Sequence, residues 1–213
     1  MGWANIDLAI DPIIFDFQTD ANLIALEVYK NGKLKLDEKD KEKSTQLHNT
    51  RPRTQEEAQD FAYQRQWEEE LHQDRVNSLG LFVLVYISSA LERTLDGLKK
   101  PFDKSHPAPR QIQGDSKLLR RKDEYLKRFK IDFGKAPVSF VRIQEIVLAR
   151  NAGVHNDIRT YQGEIPDPRF IDNVRRKFCA SERDLQLAGS DAVRFVEWLG
   201  DQLKNLRRSA HTA

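Results

Sequence analysis

The chain has 213 residues, 39% hydrophobic and 32% charged, with a formal net charge of +2, 10 Gly and 8 Pro. This is the composition of an ordinary soluble protein of helical flavour, long enough for a real core and bounded to one domain with additions or two small ones. A single cysteine, Cys179, excludes an internal disulfide, and no Cys/His cluster has zinc-ligand spacing. The opening Met-Gly-Trp-Ala-Asn-Ile-Asp lacks the features of a signal peptide or anchor, so the cytoplasm is the expected location.

Residues 1–30 mix short apolar clusters with scattered Asp. Thr19 or Asp20 fits the cap of a helix running to Tyr29 and stopped by Asn31-Gly32, and the same Asn-Gly pair fits a hairpin turn between 26–28 and 34–36. Both readings stay open. From Lys33 to Arg53 the chain is charged and polar, which reads as a mobile linker or an exposed helix end. Residues 1–53 are therefore set apart as an N-terminal extension and charged linker, and 54–213 as the main helical domain.

Thr54 with Glu57 three residues on makes a capping box, and helical spacing persists from there to about Lys99. Its first half is polar apart from Phe61, Tyr63, Trp67 and Leu71. Its second half is apolar almost all round, as in a helix central to a fold or lying in a subunit interface. Asn77, Ser78, Gly80, Ser88 and Ser89 interrupt it too often for a membrane span. The prolines between Lys99 and Gly114 make a loop. Asp115 or Ser116 then caps a basic helix to about Lys130, with Leu118, Leu119, Tyr125, Leu126 and Phe129 on its apolar face. Asp132-Phe133-Gly134 spells a kinase-like tripeptide without the rest of a kinase signature.

Pro137 and Val138 open the next helix, whose stripe is Phe140, Ile143, Val147 and Val154, with Arg150 at the stripe's edge. Asp167-Pro168 starts a short helix with Ile171, Val174 and Phe178 inward. Ser190 caps the last helix, in which Ala192, Phe195, Val196, Leu199, Leu203 and Leu206 form an amphipathic stripe.

Charge is unevenly distributed. Residues 1–100 carry 13 Lys+Arg against 18 Asp+Glu, and residues 101–213 carry 22 against 15. The basic excess peaks between Lys117 and Lys135, where Lys117, Arg120, Arg121, Lys127 and Arg128 are the candidate contacts for a polyanion. A solvated helix face of alternating charge would show the same pattern.

Directly after this basic stretch comes Arg150-Asn151-Ala152-Gly153-Val154-His155. A guanidinium is a planar, permanently charged fork suited to phosphate, an imidazole moves protons near neutral pH, and a glycine lets the backbone bend between them. Arg65 and His72 have a similar spacing within a charged helical stretch that reads as solvated surface. Arg150 to His155 differs in its adjacent Asn151, its Gly153 and its place at the end of an apolar helix. The plainer alternative is a helix C-terminus whose basic residues meet the last carbonyls. On a regular helix Arg150 and His155 diverge by roughly 140°. Either the helix distorts near Gly153 or a second copy of the motif completes the site.

The order Arg, Asn, then His after a short gap resembles the signature of the HEPN superfamily. The resemblance covers roughly Thr54 to Arg208 as helical order and motif position, and its specific residues are Arg150, Asn151 and His155. It implies an all-α, up-and-down helical bundle acting as a homodimer whose two motifs face each other across a cleft, and it does not account for the N-terminal extension. It further implies a metal-independent endoribonuclease of the toxin or defence type, with RNA as substrate, an antitoxin protein as a further partner, and neither cofactor nor metal. Many HEPN toxins paired with a nucleotidyltransferase antitoxin have a tyrosine two positions after the motif histidine. Asp157 stands there in this chain, which argues against that subgroup. A non-catalytic HEPN-like module binding RNA, nucleotide or a protein is the rival expectation.

Overall fold

The computed structural model describes residues 6–49, 52–155, 158–172 and 177–210. The fold is all-α. In chain order α1 spans Ile6–Gln18, α2 Ala25–Asn49, α3 Gln55–Lys99, α4 Lys117–Phe129, α5 Phe140–His155, α6 Ile158–Glu164 and α7 Glu182–Ala210. A two-residue hairpin, β1 (Ile171–Asp172) with β2 (Lys177–Phe178), precedes α7.

The third helix is the hub, with α1, α2, α5 and α7 all packed on it. Its start is the expected capping box: the Thr54 hydroxyl accepts from the Glu57 N–H at 3.1 Å, and the Glu57 carboxylate accepts from the Thr54 N–H at 3.3 Å. At 45 residues it is about 68 Å long. Only its second half lies in the core, through Val83, Leu84, Ile87, Leu91, Leu95 and Leu98. By length and composition α3 is apolar enough to cross a bilayer, and half of its most apolar stretch is buried inside the bundle. The interruptions noted in the sequence therefore do not bring the stretch below the composition of a span, but the bundle occupies much of its surface.

Residues 6–49 are not a separate extension. Ile10, Phe17, Ala21, Ala25 and Tyr29 belong to the same buried core as Leu84 and Phe195. The Tyr29 hydroxyl donates to the Ala180 carbonyl at 3.3 Å, and Gln18 donates to Glu197 at 2.6 Å. A π-helical turn, Thr19–Ile24, joins α1 to α2, with the Ala25 N–H reaching the Asp20 carbonyl. Its wider turn has a cause in the spacing of Phe17, Ala21, Ala25 and Tyr29. Steps of four drift by about 40° each on a 3.6-residue helix, and a wider turn absorbs the drift.

Neither reading of Asn31-Gly32 holds, because α2 runs through both residues. A Cβ at Gly32 would lie 2.8 Å from Leu79 Cδ2, so glycine here lets α2 approach α3. Packing of one apolar face outweighs the local stop signal. The charged stretch 33–49 is accordingly helical, and it lies along the first half of α3.

Ser116 caps α4 by accepting from the Leu119 N–H, and Lys130 ends it in the left-handed conformation at φ 60°. Phe133 of the kinase-like tripeptide is buried against Tyr125, Phe140 and Phe195. The short helix expected after Asp167-Pro168 is absent: Asp167 adopts φ 53°, which a helix start does not accept, and Ile171 pairs with Phe178 across the hairpin. Val174 lies outside the described residues. The last helix begins eight residues before Ser190, with the Ser181 hydroxyl accepting from the Asp184 N–H. Leu185 and Ala188 extend the apolar stripe backwards through Gly189.

Candidate active site

The motif occupies the last two turns of α5, which seats its buried face, Ile143, Ile146, Val147, Ala149 and Ala152, on α3. Gly153 does not break the helix. A Cβ there would lie 2.3 Å from Leu81 Cδ1, so glycine serves close approach of α5 to α3 and not a bend. Val154, expected in the inward stripe, is exposed, and His155 is exposed as the last residue of the helix. Asn156 and Asp157 lie outside the described residues.

Arg150 leaves the edge of the core, its side chain 25% exposed. Its Nε donates to Asn151 Oδ1 at 3.1 Å, which fixes the guanidinium beside its own helix. Facing it from α3 is Glu92, with Oε1 at 3.9 Å from Arg150 Nη2 and Oε2 at 3.8 Å from Arg121 Nη1 of α4. Both separations exceed hydrogen-bond range, so the carboxylate acts on the two guanidinium groups as a nearby charge. Three helices thus bring Arg150, Glu92 and Arg121 to one place. The sequence offered no sign of Glu92, which stands 58 residues before the arginine it faces.

Within one chain, Arg150 and His155 sit on a continuous helix and their directions diverge by the roughly 140° that regular geometry dictates. Helix distortion is therefore excluded as the means of bringing them together.

The five basic residues expected to meet a polyanion divide into two groups. Arg121 is bidentate on Asp96, at 3.0 and 2.6 Å. Arg128, with a 3% exposed side chain, bonds Asp103 at 2.5 Å, Glu124 at 3.2 Å and the His106 carbonyl. These two hold α4 on α3 and the following loop. Burial works to raise the Asp96 carboxyl, but hydrogen bonds from Arg121 and Lys99 outweigh it and keep that carboxyl below its ordinary range. Lys127 pairs with Asp123 at 2.8 Å, while Lys117 and Arg120 are exposed. Arg121 and Arg128 are thus spent in an internal ion network, while Lys117, Arg120, Lys127, Lys130 and Lys135 are exposed.

A second polar cluster lies deeper on α5. Glu145, fully buried, accepts from the Tyr161 hydroxyl at 3.0 Å, the Arg169 N–H at 2.7 Å, Arg169 Nε at 2.6 Å and Arg142 Nη1 at 3.0 Å. The Tyr161 hydroxyl in turn accepts from the Phe170 N–H, and Arg169 reaches Asp191 of α7. This cluster clamps α6 and the hairpin to α5 directly after His155. The Arg65 to His72 spacing resolves differently: His72 lies 3.1 Å from Asp37 of α2, so it is a half-buried contact between helices and not solvated surface. Among the described residues no group of three or more His, Cys, Asp and Glu has the arrangement of a metal site.

No family model, curated protein or solved structure matches this chain.

Proposed function

We propose that the chain is a HEPN-like endoribonuclease cleaving RNA by attack of the 2′-hydroxyl on the neighbouring phosphorus. The observation that carries this reading is the end of α5, where Arg150 is held at the core boundary by Asn151 while His155 stands exposed five residues on. The O2′–P bond forms and the P–O5′ bond breaks, leaving a 2′,3′-cyclic phosphate and a 5′-hydroxyl. His155 takes the 2′-hydroxyl proton or supplies one to the departing 5′-oxygen. Arg150 stabilises charge on the phosphorane oxygens, and Asn151 orients the guanidinium or the phosphate. No step calls for a metal, and DNA lacks the nucleophile. Because Arg150 and His155 diverge on one straight helix, the working unit in this reading is a homodimer whose cleft holds both motifs.

A second reading, a non-catalytic module, draws support from Glu92. A carboxylate beside Arg150 repels an incoming phosphate and gives the arginine a structural partner. The two readings part on one assay. Purified protein is incubated with total RNA, with and without EDTA, and product ends are analysed. The ribonuclease reading expects EDTA-resistant cleavage to cyclic-phosphate ends, and a fall of about 10²–10⁴-fold in His155→Ala. Stability of that variant should change by no more than about 1 kcal/mol, since the residue is exposed. Absence of cleavage, or cleavage unaffected by His155→Ala, assigns the motif to the second reading.

A further inference from the structure

The first half of α3 and the second half of α2 stand apart as a helical arm, joined by contacts such as Lys43 to Glu68 at 2.9 Å and His72 to Asp37. These place Glu68, His72 and, further on, Leu79 on the side of α3 that α2 covers. At about 100° per residue, Glu56, Asp60, Tyr63, Trp67, Glu70 and Asp74 fall together on the opposite side. All six are exposed, Tyr63 at 73% and Trp67 at 65%, and a shallow open groove runs past the two aromatics. Arg65 and Arg75, the basic residues of α3 between 55 and 75, lie on other faces of the helix. The outer face of the arm is thus two large aromatic rings flanked by Glu56 and Asp60 at one end and by Glu70 and Asp74 at the other, where Lys177 of the hairpin lies 4.0 Å from Asp74.

Solvent exposure of two such rings in adjacent turns is costly for a surface without a partner, and the flanking charges select among partners. Four carboxylates against the single neighbouring Lys177 leave the face acidic and repel a nucleic acid, which argues against stacking of bases as the use of the rings. A second copy of the same face would meet like charge with like. The basic helix α4 of a second copy keeps exposed cations, but its apolar stripe, Leu118, Tyr125 and Phe129, is buried within its own chain and cannot meet the two rings. What remains complementary is a helix with Lys or Arg along the edges of an apolar stripe, whose cations meet the carboxylates and the faces of Tyr63 and Trp67.

We propose that this face docks a basic amphipathic helix of a protein partner. The face from Glu56 to Asp74 is about 27 Å long, matching a helix of five turns. Seven residues beyond Asp74 the same side of α3 carries Leu81, the seat of Gly153. The docking face therefore leads to the last turn of α5, and an occupant lies nearly end to end with the helix that bears His155. The proposal stands on the arm alone and is independent of ribonuclease activity.

The test uses the full-length protein and a fluorescein-labelled synthetic peptide of about 18 residues, Leu and Arg arranged as an amphipathic helix, with binding followed by anisotropy. The expected result is saturable binding that weakens at least about tenfold in Tyr63→Ala/Trp67→Ala and again in Asp60→Lys/Glu70→Lys. A peptide of the same pattern with Glu in place of Arg should not bind. Circular dichroism checks that both variants retain helix. Absence of peptide binding, affinity unchanged in both variants, or equal binding of the acidic peptide overturns the proposal. So does wild-type self-association in sedimentation that is lost in Tyr63→Ala/Trp67→Ala, which makes a second copy the occupant. Displacement of the peptide by a single-stranded RNA oligonucleotide, through the same two aromatics, likewise overturns it.

Discussion

The two halves of α3 belong to one unbroken helix yet are held by different forces. Beyond about Val76 the helix is wrapped by α1, α5 and α7, its apolar residues are buried, and its charges at Glu92 and Asp96 meet arginines that are themselves largely buried. Before that point its neighbours are α2 and, at Asp74, Lys177 of the hairpin, and the contacts are partly exposed ion pairs. Burial of apolar area contributes kilocalories per side chain, whereas exposed ion pairs contribute tenths. The body is thus the stable unit, and the arm is a projection whose outer face is free to serve recognition.

The largest expected contrast is between Leu84→Ala and Trp67→Ala. Leu84 is fully buried, so its truncation should cost about 2–5 kcal/mol in urea unfolding. Loss of the larger but exposed Trp67 should move stability by no more than about 0.5 kcal/mol. Comparable losses would mean that the arm is packed as tightly as the body.

Alkali should single out the body. Burial pushes the Tyr125 and Tyr161 hydroxyls up from 10.0, with the neighbouring Glu124 and Glu145 charges adding to the rise. In the unfolded chain these phenols ionise near pH 10 while in the folded protein they remain neutral. The stability they confer is complete below pH 10 and is lost as pH rises through and beyond it, by about 1.4 kcal/mol per pH unit for each tyrosine. Urea midpoints measured across that interval should fall, and Tyr125→Phe should show the shallower fall. That variant also gives up a 2.7 Å bond to the Leu95 carbonyl, at a cost of about 1 kcal/mol near neutral pH.

The smallest effect belongs to the arm's own ion pairs. Asp37→Ala removes contacts with both His72 and Lys33, and should lower stability by about 0–1 kcal/mol with an unchanged urea slope. A loss of several kilocalories would show that these contacts are the arm's main support.

Legibility of the fold followed the range of the interactions. The Thr54 capping box, the Ser116 cap and the stripes of α3 and α7 are written within a few residues and could be read directly. The course of α2 through Gly32 could not, because the reason for that glycine is Leu79, 47 residues on. The hairpin after Asp167 was hidden by a single left-handed residue. At the site, Arg150, Asn151 and His155 were visible as a motif, and the position of Arg150 at the core boundary agrees with its helical phase. Glu92 was invisible because it reads as one more charge on a long helix. Glu145 was overlooked because its partners Tyr161 and Arg169 come 16 and 24 residues later. Arg121 and Arg128 looked like surface charge until their carboxylates, 25 residues away, came into view.

The pairing of α1 with α7 sets a schedule for folding. Ile10 and Ile14 rest on Gly200, Gln18 reaches Glu197, and Lys204 reaches Asp11. The Gln18 contact spans 179 residues, which at ribosomal speed is a delay of roughly 10–40 s between making one side of it and making the other. Through that interval α1 can pack on α3, but the part of its apolar surface that α7 covers stays open to water. The bundle therefore closes only once α7 has been synthesised, and until then the seat of α7 on α1 is an apolar surface open to other hydrophobic contacts.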